Sequence, residues 1–156
     1  MAFHVVLVEP EIPPNTGNIA RTCAATGTVL HLVEPLGFSV DDRSLKRAGL
    51  DYWPYVEVRI HSGLDAFLEE CENRRMYLAT TKGKHRHTQV SYQDEDMLVF
   101  GKETGGLPKD FITRYASQTI RIPMSQATHT RSFNLSNAVN IVLFEALRQL
   151  GFPEMS

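Results

Sequence analysis

Apolar and polar positions follow two different rhythms along this chain. The run 3–9 is unbroken and rich in β-branched residues, as expected of a strand buried on both faces of a parallel sheet. Similar short runs at 29–33, 56–60, 76–80, 97–100 and 119–122 predict further strands. Between them the spacing turns helical. Ile19, Cys23 and Thr26 recur on one helical face after Asn15 and Thr16, which are good N-cap residues, and Gly27 ends the helix. Pro10, Pro13 and Pro14 predict irregular backbone before it. Residues 44–48 predict a short helix ended by Gly49. Ser62 is placed to cap a helix reaching about Asn73, and another short helix follows Pro108. The last helix runs from Asn134 to Leu150, closed by Gly151 and Pro153.

Strands alternating with helices define an α/β fold: one mostly parallel sheet with helices on both faces. At 156 residues, without repeat, low-complexity tract or linker, the chain reads as one domain. The last helix carries more apolar surface than one contact uses. Leu135, Val139, Val142, Leu143, Ala146 and Leu150 form a stripe, while Ala138, Ile141 and Phe144 extend it onto a neighbouring face. That surplus points to a homodimer through the C-terminal helix.

Composition changes this picture little. Hydrophobic residues at 42% and charged residues at 22% suit an ordinary globular protein. Charges interrupt every apolar stretch, so no membrane span is expected, and the direct start into a strand predicts a cytoplasmic protein. Two cysteines make no disulfide framework; Cys23 is expected to pack in the core, and Cys71 has no evident activating base. The net charge of −2 excludes a large positive field, so an RNA partner would have to be held by local patches. Lys82, Lys84 and Arg86 form one such patch, and Arg43, Lys46 and Arg47 another.

In open α/β sheets, ligands bind beyond the carboxyl ends of strands. Three segments fit that position: 79–83, 101–107 and the stretch from Ile122 onward. The turn after the first strand lacks the glycine pattern of a dinucleotide site, and the phosphate-binding P-loop motif is absent. His85 and His87 are the one close histidine pair, without a carboxylate or cysteine at metal-ligand spacing, so no metal is expected. Tyr52 and Trp53 could stack a base or cover a sheet edge.

Three ordered segments carry a resemblance: Asn15-Thr16-Gly17-Asn18-Ile19-Ala20-Arg21, then Phe100-Gly101-Lys102-Glu103-Thr104-Gly105-Gly106-Leu107-Pro108, then Ser132-Phe133-Asn134-Leu135-Ser136-Asn137-Ala138. They resemble the motifs of the SPOUT methyltransferases. Glu34-Pro35-Leu36-Gly37-Phe38, Arg47-Ala48-Gly49-Leu50-Asp51-Tyr52 and Val90-Ser91-Tyr92-Gln93-Asp94 narrow the likeness to the subgroup that methylates the ribose 2′-hydroxyl of the wobble cytidine or uridine in tRNA. The likeness covers nearly the whole chain.

The resemblance implies a deep C-terminal trefoil knot, S-adenosylmethionine as cofactor with S-adenosylhomocysteine as product, and a tRNA substrate, a leucine tRNA being the expected one. It places Ala79, Gly101, Ile122 and Ser132 around the cofactor, helped by Glu103, Met124 and Leu135. It sets Arg21 next to the acceptor as an electrostatic clamp, since arginine stays charged at neutral pH, with Asn15 ordering that turn. Lys82, Lys84, Arg86 and Arg47 are the expected RNA contacts. Asn134 fits equally as a helix cap or as a group orienting cofactor or ribose. The same chemistry on ribosomal RNA is the nearest alternative, disfavoured because such relatives often carry an extra RNA-binding domain. A non-catalytic RNA- or nucleotide-binding module is the other alternative. Two departures stand out: residues 125–130 look longer than in compact members, and Phe144 stands where some members have tyrosine.

Overall fold

The computed structural model describes residues 2–39, 43 and 50–156. The helix expected at 44–48, together with Lys46 and Arg47, lies outside the described residues. In chain order the elements are β1 (His4–Val8), α1 (Pro13–Thr26), β2 (Val29–Val33), a 3-10 turn (Leu50–Tyr55), β3 (Val58–His61), α2 (Leu64–Cys71), β4 (Met76–Ala79), β5 (His85–Arg86), β6 (Met97–Phe100), α3 (Lys109–Arg114), a second 3-10 turn (Ala116–Gln118), β7 (Thr119–Arg121) and α4 (Leu135–Gln149). The strands form one seven-stranded sheet in the order β3-β2-β1-β6-β4-β7-β5. Every strand pairing in it is parallel.

Alternation along β1 explains the layering, because successive side chains leave opposite faces of a sheet. Val5 and Leu7 join a core formed with Ile19 and Cys23 of α1 and Val139, Val142 and Leu143 of α4. Val6 and Val8 join a second core with Phe67 and Cys71 of α2 and Phe111 of α3. Helices therefore cover both faces, as the unbroken apolar strands require. Cys23 is fully buried as expected, and burial pushes its thiol up to about 12.

Four local expectations change. Pro13 and Pro14 do not exclude helix; they occupy its first two positions, where no N–H is needed, after Ile12 as N-cap. Asn15 and Thr16 thus lie inside the first turn, both buried, rather than capping it. Gly63, not Ser62, is the N-cap of α2. The strand β5 and the 3-10 turn at Leu50–Tyr55 carry no apolar period and were not expected.

Candidate active site

The carboxyl ends of β4, β6 and β7 open onto a cavity of about 520 Å³, within the range of small-molecule sites. All seven residues expected to surround a cofactor line it: Ala79, Gly101, Glu103, Ile122, Met124, Ser132 and Leu135. They come from the ends of three strands and from the approach to α4. Ile12 and Asn15 complete one wall from α1. Thr80, Thr81, Lys102 and Phe133 also line the cavity, although the sequence reading did not single them out. Phe133 had a signal in the sequence, since it sits between Ser132 and Asn134 in the third motif; in the structure it is 42% exposed despite its size.

Backbone proximity fixes the glycine-rich loop. A Cβ at Gly101 would lie 2.2 Å from the carbonyl carbon of Gly106 and 2.3 Å from the nitrogen of Leu107. The loop therefore folds back on its own start, and the Gly106 N–H donates to the Lys102 carbonyl at 2.9 Å. Gly106 makes that return with φ of +68°, which side chains disfavour. The result is a tight rim whose residues line the cavity.

Glu103 lines the cavity, but its oxygens also hold the protein together. Oε1 accepts from the Glu11 N–H at 2.8 Å, and Oε2 accepts from the Ile12 N–H at 2.8 Å and Asn15 Nδ2 at 3.1 Å. A carboxylate here satisfies N–H groups at the start of α1 that have no partner within the helix. Glu11 answers in the other direction, accepting from the Thr104 hydroxyl at 2.7 Å and its N–H at 2.9 Å. These two bonds hold the Glu11 carboxyl below its ordinary value. Asn15 in turn accepts from Asn134 Nδ2 at 3.2 Å. Asn134 takes the capping role, receiving the Ser136 N–H at 3.0 Å and the Ser136 hydroxyl at 2.6 Å. One polar network thus joins the starts of α1 and α4 to the glycine-rich loop. Glu103→Ala is expected to cost about 2–4 kcal/mol, because several donors lose a charged acceptor. Urea unfolding measures this, and Glu103→Gln, which keeps an acceptor oxygen, is expected to lose less.

Arg21 lies outside the cavity wall, exposed on α1, with Cζ 5.0 Å from the centre of the Tyr52 ring. A guanidinium over an aromatic face gains about 0.5–1 kcal/mol at such a site. Tyr52 thereby has one face occupied by Arg21, and Trp53 packs against the larger core, so of the two readings for this pair, covering fits better. Lys82, Lys84 and Arg86 are exposed beside the cavity-lining Thr80 and Thr81. Arg121 fixes that basic loop by donating to the carbonyls of Gly83 at 2.8 Å and Lys84 at 3.1 Å. Arg47 lies outside the described residues. Among the described residues no group of three or more His, Cys, Asp or Glu could hold a metal ion, and no helix is long and apolar enough to cross a membrane.

A parallel α/β sheet with a small-molecule cavity, built from glycine-rich and polar loops at the carboxyl ends of its strands, has its ligand site where open α/β folds hold theirs. Comparison narrows it: residues 2–144 match the model of the SpoU rRNA Methylase family, and the chain belongs to that family. It is 54% identical over 152 residues to the tRNA (cytidine(34)-2′-O)-methyltransferase of Escherichia coli K12, covering 97% of this chain and 96% of that one. The enzyme of the same name from Yersinia pestis is 51% identical, covering 97% and 96%. A solved structure concerned with 2-OH methylation of C/U34 on tRNA superposes with a TM-score of 0.91 at 44% identity, covering 96% of this chain and 97% of that one. An AdoMet-bound rRNA methyltransferase from Sinorhizobium meliloti superposes at 0.84 with 27% identity, covering 96% of this chain and 57% of that one.

Proposed function

We propose that this protein is an S-adenosylmethionine-dependent methyltransferase acting on the ribose 2′-hydroxyl of nucleotide 34, cytidine or uridine, in tRNA. The observation that carries the proposal is the convergence of Ala79, Gly101, Ile122 and Ser132 on one cavity. The relatives named above supply the substrate class.

The cavity fits the cofactor by its own chemistry. Ile122, Met124 and Leu135 offer apolar surface for an adenine face, while the folded-back glycine loop offers peptide groups for its polar edges. When bound, S-adenosylmethionine supplies an activated methyl group on a sulfonium. The chain's own residues then have to place the acceptor oxygen in line and help its proton leave. Arg21, permanently charged, is the clamp on the developing alkoxide or a neighbouring phosphate, and the hydroxyl proton passes to water or another group. Asn15 acts as a positioning residue, joining the start of the same helix to the cavity rim through Glu103 and Asn134. Lys82, Lys84 and Arg86 are placed to meet anticodon-loop phosphates, as Arg47 is in the sequence reading.

The reading includes a C-terminal trefoil knot in the loops that wall the cavity, a homodimer through α4, and action in the cytoplasm. Phe144 on α4 is 43% exposed, which supports a second apolar contact on that helix. A leucine tRNA is the expected substrate. Nucleoside mass spectrometry of tRNA from a strain lacking the gene is expected to show loss of a wobble 2′-O-methyl mark. Restoration by the wild-type chain and not by Arg21→Ala supports the proposal; an unchanged tRNA profile overturns it.

A further inference from the structure

A file of three buried histidines crosses the sheet on the face covered by α2, outside the cavity wall. His4 opens β1, His31 is central in β2 and His61 ends β3. In register, His31 stands opposite Val6 and His61 opposite Val33. Each histidine therefore sits one same-face step further along the next strand, a diagonal that brings ring to ring. His4 Nδ1 lies 2.8 Å from His31 Nε2, and His31 Nδ1 lies 2.9 Å from His61 Nε2. The residues are 2%, 0% and 5% exposed. The outer nitrogens face carboxylates: His4 Nε2 is 3.5 Å from Glu95, and His61 Nδ1 is 3.4 Å from Glu70. Phe67 of α2 sets its ring edgewise against His31 and His61.

Counting protons gives this arrangement a consequence. Two hydrogen bonds join the rings, and a carboxylate stands at ion-pair distance from each end, so bonding the file fully takes four hydrogens. A neutral imidazole carries one N–H, and an ionised carboxylate carries none. Three neutral rings leave one contact in which two acceptors face each other. We infer that the file is a binding site for one proton, held between Glu95 and Glu70 and shared across three strands. Without it, both short ring–ring contacts are bonded only when all three rings donate in the same direction, which leaves the gap at one end. With it, the gap closes.

Surrounding groups set where in pH the proton enters. Burial opposes a charge on every ring, lowering His4, His61 and, to about 3, His31. Arg59, paired with Glu57, and Arg74 add repulsion, whereas Glu95 favours charge on His4 and Glu70 on His61. Cys71, raised by burial, stays a neutral thiol beside them. The file is therefore neutral near pH 7 and takes its proton below the ordinary histidine range. A second proton would place two cations in contact through buried His31, so uptake stops at one. The unfolded chain binds three protons on the same residues near pH 6.5. Native stability contributed by the file is thus present above about pH 6.5 and declines as pH falls below it.

Nitrogen-15 NMR of the imidazoles in the full-length protein tests this. At pH 7.5 the three rings of the wild type are expected to share one tautomer, and on acidification to respond together with a single midpoint. Glu70→Gln, at a side chain 64% exposed, brings an amide donor that supplies the fourth hydrogen. It is expected to set all three rings as Nε2–H and to lower the uptake midpoint by about one pH unit or more. Glu95→Gln acts from the other end and is expected to set them as Nδ1–H. Mixed tautomers in the wild type, three independent midpoints near 6.5, or tautomers that neither variant changes would overturn the inference.

Discussion

Arg21→Ala is expected to lower the rate of methyl transfer by about 10²–10³-fold, the usual cost of removing one preorganised group that stabilises developing charge. Cofactor affinity is expected to stay within about twofold, because Arg21 lies outside the cavity wall and touches Tyr52 instead. Arg21→Lys keeps the charge but loses the flat face that rests on the Tyr52 ring, so it should recover only part of the rate. Single-turnover kinetics on tRNA, with calorimetry of S-adenosylhomocysteine binding, separates the two quantities. A parallel loss of cofactor affinity would place Arg21 in the cofactor site and remove it from the acceptor.

Gly101→Ala is expected to have the largest effect on cofactor binding. The added methyl would stand 2.2 Å from Gly106 backbone, so the glycine-rich loop must move away from its own first residue. Overpacking of this kind costs about 1–3 kcal/mol of stability. The displaced loop is also the cavity rim, so affinity for S-adenosylhomocysteine should fall about 100-fold or more, equivalent to roughly 2.7 kcal/mol. Gly105→Ala provides the comparison. Its nearest neighbour is the flexible end of Lys102 at 3.1 Å, and neither stability nor affinity should change much. Calorimetry and thermal unfolding of both variants check the pair.

The sheet was legible because apolar runs such as Val29–Val33 match a strand buried on both faces. The cavity was legible through loops at strand carboxyl ends and through the resemblance that three motifs in order carry, which also points to Ala79, Ile122 and Met124 outside those motifs. Other features escaped for a common reason: they depend on partners far apart in the chain. Glu103 meets Glu11 across 92 residues, so nothing near it reveals that it anchors α1 as well as facing the cavity. The histidine file joins residues 27 and 30 apart, which no local spacing rule connects. β5 is two residues long and owes its existence to pairing with β7, not to an apolar run of its own. α1 starts before its N-cap-like Asn15 and Thr16, because Pro13 and Pro14, breakers elsewhere in a helix, are tolerated in its first turn.

The most direct test uses the purified protein, tRNA and isotopically labelled S-adenosylmethionine, followed by nuclease digestion and mass spectrometry. The account predicts one labelled methyl group, on the ribose 2′-oxygen of nucleotide 34. Label on a base, on another nucleotide, or only on ribosomal RNA supplied alongside would contradict it.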